Sequence, residues 1–233
     1  TWGEEAGCKN TNDIIEMAIE SAKLYCRHAL DANGYGYEGT MYASLPIDTI
    51  FLFAQLLYQN KKENLFESIP VLKQCSSALR NLLFPDRAGL TPISDGGIYN
   101  PKSFAWLLLT AKYYNKPEDM GLWHEYRGPG RAMDPCPNNN PPVYWPDSGD
   151  KGPVRRDGWG HDLFPFLWLD YTITPLPVEK SPAPLSFYST GAETAFFRTS
   201  WSKDAVYLNV NGQGRSHCSL DHAHADGGHF TIF

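Results

Sequence analysis

The 233-residue chain is poor in cysteine, in clustered positive charge and in long apolar runs, and each shortage removes a class of protein. Its five cysteines (Cys8, Cys26, Cys75, Cys136, Cys218) are scattered with no CxxC pair. That argues against a structural zinc knot and against a dense disulfide scaffold. An odd count leaves at least one thiol free unless another chain pairs with it, and one or two disulfides stay open. No basic run exceeds Lys61-Lys62 or Arg155-Arg156, and the net charge is −6. No nucleic-acid footprint is expected, nor broad electrostatic steering of polyanions, although a few local cations suffice to hold an acidic sugar. No apolar stretch approaches the roughly 20 residues that a membrane span needs. The first residues, Thr1 to Glu5, lack the basic start and apolar core of a signal peptide. With no initiator Met and a strand-like ending at Phe230–Phe233, the chain is expected to be an internal piece of a longer polypeptide.

What the sequence does have is 42% hydrophobic residues, enough for one substantial core or two modest ones. Aromatics are abundant, with 13 Tyr and 7 Trp. Packing is their ordinary use; stacking on the apolar faces of pyranose rings is the functional one.

The first two-thirds read as helices. From Asn12 to Leu30, apolar residues at Ile14, Ile15, Ala18, Ile19, Ala22, Tyr25, Cys26, Ala29 and Leu30 recur at helical spacing, with Asn12 or Asp13 as N-cap. A Gly- and Tyr-rich loop, residues 31–39, follows. Further helices are predicted over about 46–58, with Pro46 in the first turn, over 70–83, over 101–114 and over 161–171. The 101–114 helix is apolar on nearly every side and should be buried. Residues 128–160, dense in Pro, Gly and Asn, read as a functional or covering loop. Four prolines between Pro175 and Pro184 predict an interdomain linker. Beyond it the period becomes strand-like at 195–198, 205–210 and 229–233. Helices first and strands after predict two segregated domains, 1–174 helical and 185–233 β, joined by 175–184.

The chemistry-bearing groups concentrate in His222-Ala-His224-Ala-Asp226. On an extended backbone these alternate residues project from one face. Imidazole suits both proton transfer near neutrality and metal binding. Two His and one Asp are one ligand short of a usual zinc set. A solvated polar strand face is the plain alternative.

The series Phe187-Tyr-Ser-Thr-Gly191, Phe197-Arg-Thr-Ser-Trp201, Asp204-Ala-Val-Tyr-Leu208 and above all His222-Ala-His-Ala-Asp-Gly-Gly-His-Phe230 resembles the heparinase II/III-like polysaccharide lyases. Upstream, Asn33-Gly34 with Glu38-Gly-Thr-Met-Tyr42 is similar to the segment that carries that family's catalytic tyrosine. The resemblance covers most of the chain, and its HxHxD and EGxxY segments are the specific parts. It implies a partial (α/α) toroid followed by the first strands of an antiparallel β-sandwich, with an acidic polysaccharide in the cleft between them. It further implies His222 as the catalytic histidine, His224 as a ligand of a structural zinc whose other ligands lie beyond Phe233, and a secreted or periplasmic location. The family's Asn/His pair, which neutralises the substrate carboxylate, belongs upstream of the Tyr segment and is not found there; His28, at helical spacing, is no substitute.

By motif position Tyr42 is the catalytic tyrosine, with Tyr37 second; packing with a satisfied hydroxyl is the alternative for each. Glu38, Tyr37, Arg215 and His217 are candidate substrate contacts, Glu38 also reading as a helix N-terminal charge and Arg215 and His217 as plain loop polarity. The reaction implied is β-elimination on a uronate, with Tyr42 and His222 as the acid–base pair. Two other readings are a metal-dependent hydrolase built on the HxHxD segment and a glycan-binding homologue without chemistry. The metallo-β-lactamase-like hydrolases place His directly after such a run, whereas here Gly227-Gly228 precede His229.

Overall fold

In the computed structural model the described residues are 10–87, 89–94, 104–127, 163–212 and 227–233. They form helices and one four-stranded antiparallel sheet, a mixed α and β fold. Among them no helix is long and apolar enough to cross a membrane.

Helix α1 (Thr11–His28) buries Ile19, Ala22 and Cys26, with Ile15, Ala18 and Tyr25 half-buried beside them. Ile14 departs from the expected stripe and is 63% exposed. The helix also starts before the predicted caps. Asn10 stands at the N-cap in the left-handed region, and its carbonyl already accepts from Ile14 N–H at 3.1 Å. Asn12 and Asp13 therefore lie inside the first turn, where the helix dipole favours the Asp13 carboxylate.

Helix α2 (Gly39–Gln59) begins well before Pro46, which sits in its interior rather than its first turn. The preceding turn is already folded by hydrogen bonds from Tyr37 N–H to Ala29 O (3.1 Å) and from Gly39 N–H to Gly36 O (3.1 Å), so the chain enters the helix directly from it. An interior proline costs about 3 kcal/mol. Burial of Ile47, Ile50, Phe51, Ala54 and Leu57 along the same helix offsets that.

Helices α3 (Leu65–Ser68), α4 (Leu72–Leu82), α5 (Trp106–Tyr113), α6 (Pro117–Arg127) and α7 (Leu163–Trp168) follow. α5 is buried from Trp106 through Ala111, as its all-round apolarity predicts. It starts at Trp106 because Phe104, at φ 44°, stands outside helical geometry. Trp106 stacks on Phe51 (5.1 Å), and Phe66 on Tyr113 (4.0 Å). α6 carries Pro117 in its first position and Glu118 and Asp119 in its first turn. The buried Arg80 guanidinium on α4 is hydrogen-bonded to the buried Asp119 carboxylate, tying the two helices together.

The proline-rich stretch 175–184 is packed rather than free. Leu176 N–H donates to Pro117 O (3.0 Å), and buried Val178, opening a 3₁₀ turn (Val178–Lys180), donates to the Glu125 carboxylate (2.8 Å). Glu125 also receives Arg87 Nε (3.2 Å), and Arg87 donates onward to Trp201 O (2.6 Å). Glu125 of α6 thus holds both the proline-rich stretch and the buried Arg87, which reaches on to the Trp201 segment.

Strands β1 (Ser186–Ser189), β2 (Thr194–Arg198), β3 (Tyr207–Asn211) and β4 (His229–Ile232) form a meander in that order. Alternation puts Ser189, Thr194, Phe196, Arg198, Tyr207, Asn209 and Asn211 on the buried face. Arg198 is the main strut between this face and the helices. Its guanidinium lies 4.0 Å from the Trp201 ring and 5.0 Å from Tyr207, and it donates to Asn81 O and Leu83 O, both at 3.2 Å. Burial lowers its pKa to about 10.

Candidate functional site

The site begins in the turn between α1 and α2. Asp31 is followed by Asn33, Gly34 and Tyr35, a pattern that lets one carboxylate collect nearby backbone donors. Its Oδ1 accepts Asn33 N–H (2.9 Å) and Tyr35 N–H (2.8 Å). Gly34 closes the turn at φ +85°, and a Cβ there would stand 2.7 Å from Cys75 N, so only glycine fits against α4.

The three tyrosines near this turn differ in kind. Tyr35 is buried, stacks on Phe196 at 5.4 Å and accepts a hydrogen bond from Asn81 Nδ2 at 3.0 Å. Burial pushes its phenol far up, so it is a neutral packing group. Tyr37 is half-buried, and burial followed by the nearby Asp31 raises its pKa as well. A phenol raised in this way stays protonated near neutrality, so it can donate a hydrogen bond but is a poor general base there. Tyr42 is half-buried in the first turn of α2. Pro46, four residues on, lacks the N–H that would normally bond the Tyr42 carbonyl. Glu38 is the N-cap residue of α2, half-buried, with no side-chain capping bond. It stands near Tyr25, whose phenol is raised by burial and then by this carboxylate. His28 ends α1 on the exposed side.

Arg215, His217, His222, His224 and Asp226 lie outside the described residues. The strands that bound them are described. The chain leaves β3 at Asn211 and Gly212, where Gly212 N–H donates to Glu193 O (2.7 Å). It returns at Gly228, whose N–H donates to Asn211 O (2.8 Å), and continues into His229, paired with Asn211. The register then runs straight across the sheet, His229 to Asn211 to Thr194 to Ser189.

Ser189 closes the circuit to the helices. Its hydroxyl is hydrogen-bonded to Asp31 Oδ2 and receives Asn33 Nδ2 at 3.2 Å. The Asp31–Gly39 turn and both ends of segment 213–226 are therefore tied to one register row. Three strand spacings of about 4.8 Å separate the two ends of that row, about 14 Å in all. Asp31 and Ser189 were not singled out by sequence pattern. The local signal is Asp31 two residues before Asn33 and four before Tyr35; Ser189 lies in the Phe187–Gly191 segment of the resemblance, which does not mark it as a partner of Asp31.

A cavity of about 50 Å³ lies behind the turn, lined in part by Gly34, Tyr35, Ala43, Cys75, Ala192 and Thr194. It has room for a few waters and falls far below a ligand pocket of about 300 Å³ or more. Among the described residues no group of three or more His, Cys, Asp or Glu could hold a metal ion. The expected zinc ligand His224 lies outside them. No family model matches the chain, and no curated protein matches it.

Proposed function

We propose that this chain is part of a polysaccharide lyase that cleaves a uronic-acid-containing polysaccharide by β-elimination. One observation carries the reading. Two of the segments that carry the resemblance, Asn33–Tyr42 and Phe187–Gly191, meet through the Asn33–Ser189 hydrogen bond of 3.2 Å. The row through Ser189 also bounds the segment holding His222.

The reaction needs a proton taken from C5 and a proton given to the oxygen leaving C4, with no water consumed. The electron pair freed at C5 forms the C4–C5 double bond as the C4–O bond breaks. The C5 proton becomes accessible when the adjacent carboxylate is neutralised, because the enolate-like charge is then stabilised. Tyr42 and His222 are the acid–base pair, their order set by the configuration at C5. Arg215 and His217 are the candidate contacts for the carboxylate; Tyr37 and Glu38 are the candidate contacts on the helical side. A structural zinc held through His224 belongs to the same reading and takes no part in these steps. So does a secreted or periplasmic location.

The finer architecture proposed is a partial (α/α) toroid followed by one layer of a β-sandwich. The sheet's outer face supports the second half of that statement. Tyr188, Ala195, Val210 and Phe230 form one register row there, and Phe197, Leu208 and Ile232 the next. Tyr188 is 59% exposed, Phe230 61% and Ile232 67%. A face this apolar is built to be covered by a second layer.

The test is product chemistry. Full-length protein incubated with uronate polysaccharides should release ends carrying a C4–C5 double bond, seen as ultraviolet absorbance. Saturated reducing ends alone would sink the lyase reading.

A further inference from the structure

Asp31 is 2% exposed, and among the described residues no cation lies within ion-pair distance of it. Its two oxygens divide their partners. Oδ1 folds the turn by accepting Asn33 N–H (2.9 Å) and Tyr35 N–H (2.8 Å). Oδ2 faces the sheet, accepting the Ser189 hydroxyl and, at 3.5 Å, Asn33 Nδ2. The turn between β1 and β2 packs against the same residue: a Cβ at Gly191 would stand 2.6 Å from Asp31 Cβ. A buried carboxylate without a cation is costly unless every lone pair is used. Here hydrogen bonds from two structural layers use them.

The turn held by Oδ1 runs directly into α2, whose first turn carries Tyr42. The serine held by Oδ2 lies in the row that ends at Asn211 and His229, between which the His222 segment leaves and returns.

We propose that Asp31 is a positioning residue for Tyr42, its carboxylate fixing the Tyr42-bearing turn against the edge strand of the sheet at Ser189. This rests on the lyase reading above. Asp31 acts through Asn33, Tyr35 and Ser189 and does not touch the sugar.

The experiment uses full-length protein with Asp31→Ala, Asp31→Asn and Ser189→Ala, read by steady-state turnover and by amide hydrogen exchange. A displacement of about 1 Å at an acid–base pair costs on the order of 100-fold in rate. Asp31→Ala should lower kcat by about that factor, with KM within about twofold. Ser189→Ala, which severs only the sheet half, should lower kcat by about tenfold. Asp31→Asn, which keeps an acceptor for both backbone donors, should recover most of the rate lost in Asp31→Ala. Should Asp31→Ala fail to fold, Ser189→Ala decides: unchanged kcat there overturns the proposal, as does a change confined to KM in any variant. If wild-type protein makes no unsaturated product, the lyase reading fails by itself. Exchange then tests the fastening alone, since Ser189→Ala should deprotect Asn33 and Tyr35 together with strand 186–189. Unchanged protection in the turn would overturn it.

Discussion

Asn33 and Ser189, 156 residues apart, are joined by an amide-to-hydroxyl hydrogen bond of 3.2 Å. Asn33 opens the turn that leads to Tyr42, and Ser189 ends the edge strand of the sheet. Contacts this distant in sequence carry a large ordering cost, so they persist where the layers they join are otherwise well packed. The Tyr35–Phe196 stack and the Arg198 strut supply that packing.

Tyr35 and Tyr42 should separate cleanly on mutation. Tyr35→Phe removes the acceptor of Asn81 Nδ2 in a buried site and should cost about 1–2 kcal/mol by chemical denaturation. Tyr42→Phe keeps the ring in a half-buried site and should cost less than about 1 kcal/mol while abolishing turnover. A Tyr42→Phe enzyme with full kcat would remove that hydroxyl from the chemistry.

Replacing Arg198 tests the strut. Arg198→Met keeps much of the side chain's bulk but leaves the carbonyls of Asn81 and Leu83 without this donor and removes the cation from Trp201 and Tyr207. The expected loss is about 3 kcal/mol. A loss below about 1 kcal/mol would mean that the apolar contacts alone hold the sheet to the helices.

Gly121 reports on the packing of the proline-rich stretch. A Cβ there would lie 1.7 Å from the Leu176 carbonyl oxygen, which is backbone and cannot swing aside. Gly121→Ala should therefore destabilise by about 2–3 kcal/mol despite the helix propensity it gains. A neutral or stabilising effect would show that 175–184 is free to move off α6.

Alkaline pH should weaken the fold from about the ordinary thiol pKa. Burial raises Cys26 from 9.0 to about 12, and raises Cys75 as well. Above pH 9.0 the unfolded chain releases these protons while the folded chain keeps them, so their contribution is whole below pH 9.0 and is lost as pH climbs towards the folded values. Tyr25, Tyr35, Tyr114 and Tyr207, all raised above 10.0 chiefly by burial, add a loss of the same sign from there upward. Arg198, lowered by burial to about 10, acts in the opposite sense above that pH. Lys116, lowered by burial below 10.5, also acts against the thiols, but two raised thiols face one lysine between pH 9.0 and 10.0. Thermal unfolding should show Tm falling across that interval, less steeply in Cys26→Ala; a flat wild-type profile would contradict the assignment.

How much of this was legible in the sequence follows the range of the interaction. The α1 stripe, the burial of α5 and strands β2 to β4 were legible because period and side-chain type act locally. Ile14 was misplaced because a helix with apolar residues on adjacent faces does not say which one meets a neighbour. Pro46 reads as a helix start, whereas the turn closed by the Tyr37–Ala29 and Gly39–Gly36 backbone bonds lets the helix begin before it. α6 was missed because its apolar residues, Met120, Leu122 and Trp123, mark no clear stripe; buried Arg80 and Asp119 secure it instead. Proline count predicts a linker over 175–184 but carries no information on what it packs against, which the bonds to Pro117 and Glu125 supply. At the candidate site, the motif pointed to Tyr42, Tyr37 and Glu38 only as expectations, and it marked the turn they share. The Asp31–Ser189 latch was not, since half of it lies on a strand 158 residues away. The Arg215–Asp226 assignments lie outside the described residues.

The most direct measurement is ultraviolet product analysis of full-length protein on a panel of uronate polysaccharides, wild type beside His222→Ala. Wild type should give a C4–C5 unsaturated product, and His222→Ala should lose that product at the same thermal midpoint. Saturated ends from wild type, or undiminished unsaturated product from His222→Ala, would contradict this.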